Sequence, residues 1–207
     1  MNYEILLAFT LASAALALSP GPDNLFVLTQ SMAHGKKNGL ATTAGLVAGC
    51  LVHTALLAFG VSAIIAENDS IFFYIKLFGA IYLFYLAFKV LMKGSSIELS
   101  DAASGNSLSQ LFRQGFIMNV LNPKVTIFFL AFFPGFLFSQ QLSHVLQFFV
   151  LGGIFMGVTF IVFGIIALLS GQVSMALKKY ESIGLILKWL QILVFVGIGV
   201  YLLLSDK

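Results

Sequence analysis

The chain has 207 residues, of which 59% are hydrophobic and 9% charged, with a formal net charge of +3 and a mean hydropathy of +1.01. A soluble domain carries about 25% charged residues, and a fold of this size cannot hide so much apolar surface from water. An ordinary soluble protein is therefore excluded, and the short Lys/Arg clusters point to membrane orientation rather than to nucleic acid. Cys50 is the single cysteine, which excludes an intrachain disulfide, and within its apolar run it reads as a small packing residue. Residues 5–18 are apolar, but Glu4 precedes them and no Lys or Arg does, so they do not read as a cleavable signal peptide.

Six apolar segments follow in order, each near the ~20 residues that cross a bilayer core. They run over Glu4–Ala33, Gly39–Ala66, Ile71–Met92, Phe112–Phe138, Ser143–Gly171 and Ile183–Leu204. In lipid such segments must be helices, since barrel strands are shorter and alternate. Lys36 and Lys37 lie in the first loop, Lys89, Lys93 and Arg113 around the third, and Lys178 and Lys179 in the fifth. The second loop carries Glu67 and Asp69. The positive-inside rule places loops one, three and five in the cytoplasm. With six crossings both termini lie outside; if the first segment is a re-entrant hairpin, the N-terminus moves inside.

One linker-like stretch, rich in Ser, Ala and Gly, divides the chain. The sequence reads as a single transmembrane domain made of repeat one (1–93), a linker (94–111) and repeat two (112–207). Three crossings per half give the second half inverted topology. Each second segment carries small residues at helical spacing, Gly45 and Gly49 in one half and Gly153 and Gly157 in the other. Such faces allow close helix packing and are compatible with a homodimer.

The first and fourth segments break at proline. In Ser19-Pro20-Gly21-Pro22-Asp23-Asn24, two prolines remove helix donors and leave the carbonyls of Leu16 and Leu18 open, with Gly21 free to adopt unusual angles. Asn122-Pro123-Lys124 reads as an N-cap with proline at the first helical position, and Ser19-Pro20 reads the same way. Asp23 lies ten residues before Ala33 and Lys124 twelve after Phe112, depths of roughly 15 and 18 Å. A carboxylate and an ammonium at matched depth, one in each half, suggest a shared polar cavity. Buried helix N-termini suit a carboxylate, and Asp23 with unwound carbonyls suits an ammonium, so a zwitterionic amino acid fits both. A structural ion pair between tolerated kinks is the alternative.

Asn119, one turn before Pro123, reads as lining the same cavity, together with Asn24 and Asn122. His53 reads either as hydrogen-bonded packing or as a proton or substrate ligand. Tyr82 and Tyr85 read either as pathway lining or as packing or interfacial aromatics. Phe128, Phe129, Phe132 and Phe133 read as lipid-facing bulk. No phosphate loop, paired-histidine metal motif or nucleophile elbow is present, so no enzyme chemistry, metal or organic cofactor is expected.

The stretches SPGPDNLFVLTQSMAHGKKNGL, GLVAGCLVHTALLAFGVSAI, KLFGAIYLFYLAFKVL and FRQGFIMNVLNPKVTIFFLAFFPGF resemble the LysE/RhtB family of bacterial amino-acid exporters. The resemblance implies export of amino acids or derivatives (lysine, arginine, homoserine, homoserine lactone, threonine or leucine among family substrates) across the bacterial inner membrane, driven by the proton gradient. By it, the family's PGP-Asp-Asn element falls on Pro20, Gly21, Pro22, Asp23 and Asn24, and its Asn-Pro-Lys element on Asn122, Pro123 and Lys124. Many relatives carry Asp where this chain has Cys50. The expectation is an all-α integral membrane exporter of two inverted three-helix repeats, its partners a small zwitterionic solute and lipid. The alternative is an integral-membrane enzyme or assembly factor that uses the same buried polar residues.

Overall fold

A computed structural model describes residues 2–62, 69–92, 106–179 and 181–204. Among them nine α-helices are formed: α1 (Tyr3–Leu18), α2 (Pro22–His34), α3 (Lys36–Leu56), α4 (Asp69–Met92), α5 (Leu108–Val120), α6 (Pro123–Phe132), α7 (His144–Leu168), α8 (Ser170–Lys179) and α9 (Glu181–Leu204). A π-helical turn, Leu57–Val61, continues α3, and a 3₁₀ turn, Phe133–Phe136, continues α6. Four of these stretches are long and apolar enough to cross a membrane by themselves, or six if each bent pair is one span. The bent pairs are α1 with α2, at 59°, and α5 with α6, at 53°. The proline breaks expected in the first and fourth segments are thus both present.

Close glycine contacts set the helix directions. On α3 and α5, a Cβ on Gly115 would lie 2.6 Å from the Thr42 carbonyl, and one on Gly49 would lie 2.7 Å from Asn119. A Cβ on Gly45 would collide with the Phe112 carbonyl. These two helices therefore run parallel with their backbones nearly touching, which only glycine permits. Against α7, Gly39 meets Ala167 and Thr54 meets Gly152, an antiparallel register. Gly152 rather than Gly153 or Gly157 makes this contact, and no atom lies within 4 Å of a Cβ at either of those two. Helical spacing alone did not tell which glycine faced a neighbour. On α4 and α9, Gly79 meets Leu202, Phe84 meets Gly199, and Lys188 Nζ donates to the Leu91 carbonyl at 2.9 Å.

The bundle has two distinct ends. At one, α2 turns into α3 through Gly35, whose φ of +89° suits only glycine, beside Lys36 and Lys37. At the other, the Asn2 N–H bonds the Phe138 carbonyl at 3.0 Å, and Tyr201 Oη donates to the Gly135 carbonyl at 3.0 Å. The first segment therefore runs from the Phe138 end to the lysine end, bent in the middle, instead of folding back on itself. Gln147 ties the Phe138 end together. Its oxygen accepts from the Phe138 and Ser139 amides at 2.7 and 2.9 Å, and its nitrogen donates to the Ser139 and Leu142 carbonyls, both at 2.8 Å.

The core corrects one reading. Phe128, Phe129, Phe132 and Phe133 are buried rather than lipid-facing. Phe129 stacks on Phe133 with centroids 4.1 Å apart and Phe128 on Phe132 at 4.5 Å, with Phe9 and Phe155 packed edge-on and tilted around them. In a bilayer an apolar side chain gains nothing by choosing lipid over protein, so composition does not reveal which face is inside. Phe73, Phe78, Phe88, Phe160 and Trp189 take the exposed positions instead. Two element boundaries also differ. α5 starts at Leu108, within the stretch read as linker, because Ser107 and Gln110 form a capping box. The fifth loop holds a helix, α8, where only a charged loop was expected. The charges of Glu67, Lys93, Glu98 and Asp101 lie outside the described residues.

The end assignment predicts thiol accessibility. In sealed vesicles, Asn2→Cys and Gln141→Cys will react with an impermeant thiol reagent from the same face, and Lys37→Cys from the opposite one. Labelling of Asn2→Cys together with Lys37→Cys would mean that the first segment turns back.

Candidate functional site

The two breaks meet in the middle of the bundle, and each is repaired by side chains. At the first, the helix α1 ends at Leu18, and the Ser19 N–H bonds the Ala15 and Leu16 carbonyls, both at 3.1 Å. Leu16 thus finds a donor despite Pro20. The Ala17 carbonyl, which has lost Gly21 as its helical donor, accepts from Asn24 Nδ2 at 2.7 Å. Asn24 is therefore occupied in closing the break. Ser19-Pro20 does not cap α2. That helix starts at Pro22 with Gly21 at its N-cap and no side-chain cap, while Ser19 is the C-cap of α1. Two prolines separated by one residue left the start of the helix ambiguous, and the second one set it.

Gly21 is extended, with φ −160° and ψ 176°, a conformation open to any residue. Its distinction is what lies above it. A Cβ there would be 3.5 Å from Lys124 Nζ, so the bare glycine gives the ammonium a close path to the break.

At the second break the expected cap is formed. Asn122 is extended, Pro123 opens α6, and Asn122 Oδ1 accepts from the Lys124 amide at 3.0 Å. The same side chain turns its nitrogen to Asp23, donating at 3.2 Å to Oδ1 and 3.1 Å to Oδ2. One amide thus caps a helix with its oxygen and holds a carboxylate with its nitrogen. Asp23 is buried, at 9% exposure, in the first turn of α2, where the positive end of the helix favours an anion.

Lys124 stands at the corresponding place on α6, directly after the opening proline. There the helix dipole opposes its charge. Its Nζ lies over the Phe195 ring at 5.1 Å from the centroid, a cation–π contact. The carboxylate's hydrogen bonds come from Asn122, not from Lys124, so the two charges face one site without closing on each other as a simple pair.

Asn119 and His53 join from the side. The Asn119 carbonyl accepts from the Asn122 N–H at 3.0 Å and pairs with His53 Nε2 at 3.2 Å. Cys50 donates to the Asn119 side-chain oxygen at 3.7 Å and is fully buried. His53 also packs on Phe129, with ring centroids 5.4 Å apart. Tyr82 stays apart on α4, its ring against Tyr85 at 6.1 Å. The structure therefore brings together Asp23, Asn24, Asn119, Asn122, Lys124 and His53, and does not bring Tyr82 among them. Phe195 was not foreseen, since nothing marks one phenylalanine of an apolar helix. Gln30 Oε1, Thr43 Oγ1 and Thr159 Oγ1 are buried without a protein partner, as is Ser19 Oγ beside the first break. Among the described residues no group of His, Cys, Asp and Glu could hold a metal ion.

Comparison with known proteins gives a consistent picture. A family model described as LysE type translocator matches residues 14–206. The homoserine/homoserine lactone efflux protein of Salmonella typhimurium is 32% identical over 152 residues, 73% of each chain. The leucine efflux protein of Klebsiella pneumoniae is 28% identical over 198 residues, 95% of this chain and 92% of its own. An uncharacterized membrane protein of Vibrio cholerae is 29% identical over 152 residues, 73% of this chain and 74% of its own. No solved structure matches.

The Asn122 bridge is testable by exchange. Asn122→Ala removes a cap and leaves a buried carboxylate short of donors, which costs about 1–3 kcal/mol. Asn122→Asp sets two carboxylates face to face and will lower the unfolding temperature in detergent further. The exchanged pair Asp23→Asn with Asn122→Asp restores one carboxylate and one amide, and will recover part of that loss. Equal stability of all three variants would show that the bridge contributes nothing.

Proposed function

The chain belongs to the family of LysE type translocators, and on that premise we propose that it exports a small zwitterionic amino acid or amino-acid derivative from the cytoplasm by secondary active transport. The protein is a multi-pass membrane protein. The observation that carries the proposal is the placing of Asp23 and Lys124, each second on a half-helix that opens with proline at a break, with Asn122 of the second break holding Asp23 of the first. Charged groups are costly inside a bilayer and mark solute or ion paths. The substrate's ammonium binds Asp23, and its carboxylate binds Lys124 Nζ. The names of the relatives specify homoserine, homoserine lactone and leucine efflux; homoserine and leucine carry both groups, while the lactone carries the amine with its carboxyl esterified.

The two halves act as inverted repeats. Pro22-Asp23 and Pro123-Lys124 are then equivalent positions, and the first segment starts at the end where the fourth finishes. With the lysine end in the cytoplasm, all six segments cross and both termini lie outside. α2 and α5, the half-helices on the lysine side, each have 13 residues, which supports breaks at one depth. On the lysine side, Gln30 and Thr43 offer unpartnered polar oxygens to a hydrated solute. On the other side, the stacked Phe128, Phe129, Phe132 and Phe133 form the barrier. Rocking one half against the other transfers access across that barrier, with proton binding as the driving step.

The test is transport in proteoliposomes or everted vesicles with radiolabelled homoserine, threonine, leucine and lysine. The wild type will accumulate at least one of them against its gradient, and an uncoupler will abolish this. Asp23→Asn and Lys124→Met will each lower transport about tenfold or more, since each removes a charged contact to the solute. Near-normal transport in both variants would overturn the site, and accumulation-free, uncoupler-insensitive flux would make the protein a channel.

A further inference from the structure

We propose that His53 is a positioning residue, which supplies from α3 the hydrogen-bond donor that Pro123 cannot supply at the second break. It is thereby distinct from a proton relay. In an unbroken helix the Asn119 carbonyl would accept from the N–H four residues on, but that residue is Pro123 and has none. In a lipid-surrounded bundle the carbonyl must be satisfied by other means. It meets the Leu121 N–H of the helix cap, the Asn122 N–H at 3.0 Å and His53 Nε2 at 3.2 Å, and His53 is the one partner from another helix. A backbone carbonyl only accepts, so Nε2 must be the nitrogen that carries hydrogen.

The consequence reaches the site through a short chain of hydrogen bonds. His53 holds the Asn119 carbonyl, Asn119 holds the Asn122 N–H, and the Asn122 side chain caps α6 and holds both oxygens of Asp23. The imidazole is buried, at 4% exposure, and is fixed from below by Phe129. The carbonyl between His53 and Asn122 has no proton to pass on, so this route transmits position and not charge. Gly49 lets Asn119 approach α3 so closely that the imidazole one turn farther along reaches its carbonyl.

The inference rests on the reading of Asp23 and Asn122 as the transport site, and the experiment separates the two. Two variants are compared for transport and for folding by thermal unfolding in detergent. His53→Leu removes the donor and will lower Vmax/KM about tenfold or more, the scale of a misplaced binding group. His53→Gln places an amide N–H at similar reach and will recover most of that loss, with the pH profile of the wild type. Wild-type transport in His53→Leu, or a folded His53→Gln as impaired as His53→Leu, would overturn the inference. The second measurement needs no transport. In the wild-type protein labelled with 15N-histidine in bilayers, the His53 signal, identified by its loss in His53→Gln, will show hydrogen on Nε2. A bare Nε2 would overturn the inference whether or not the chain exports an amino acid.

Discussion

The constraint on which this structure depends is that lipid offers no hydrogen bonds to a broken helix. The prolines at the two breaks remove helix donors, and lipid cannot replace them. The bundle responds with specific substitutes. The Ser19 amide turns back onto Ala15 and Leu16, Asn24 reaches the Ala17 carbonyl, and Asn122 caps α6. Repair of the backbone therefore collects polar side chains in the middle of the bundle. The site follows from this repair, because the residues that close the breaks stand beside the charges that the breaks expose.

Close approach of α3 and α5 is what lets one break serve the other. Gly45, Gly49 and Gly115 remove the side chains that would hold these helices apart. The contact brings His53 and Cys50 of the first half against Asn119 of the second. Asn122 then spans from the second break to Asp23 at the first. A larger residue at any of the three glycines would separate the halves just where the polar contacts cross between them.

Much of this was legible in the sequence for a simple reason. A proline or an acid inside an apolar segment violates the local rule so strongly that few structures can contain it. Asp23, Lys124, the Asn122 cap and both bends could be read on that ground. Other features obey the local rule in several ways at once and could not be read. Phe128 and Phe133 are equally at home in lipid and in a core. Gly153 and Gly157 have the helical spacing, yet it is Gly152, outside that pattern, that meets the neighbouring helix at Thr54. Ser19-Pro20 has the form of a cap, but the second proline, two residues on, moved the helix start to Pro22. The start of α5 was legible and was missed. Ser107 and Gln110 have the capping-box spacing, although the surrounding Ser and Gly residues suggested a linker.

The two charges differ in how well the protein satisfies them. Asp23 has a helix N-terminus behind it and two hydrogen bonds from Asn122 in front. Lys124 has the same kind of helix end behind it, which for a cation is the wrong polarity, and an aromatic face in front. A cation–π contact is weaker than a charge-assisted hydrogen bond to a carboxylate. The two charges are therefore unequally satisfied, Asp23 by hydrogen bonds and Lys124 by an aromatic face. In the transport cycle proposed above, an entering zwitterion brings its carboxylate to Lys124 first, and its ammonium then competes with the Asn122 amide for Asp23. Such an order, carboxylate first and ammonium second, makes the Asn122 bridge the contact that changes on binding. That bridge is one of several polar ties between the halves, beside those of His53 and Cys50 to Asn119 and of Lys188 to Leu91, and in the proposed mechanism it is the one that the solute's ammonium replaces.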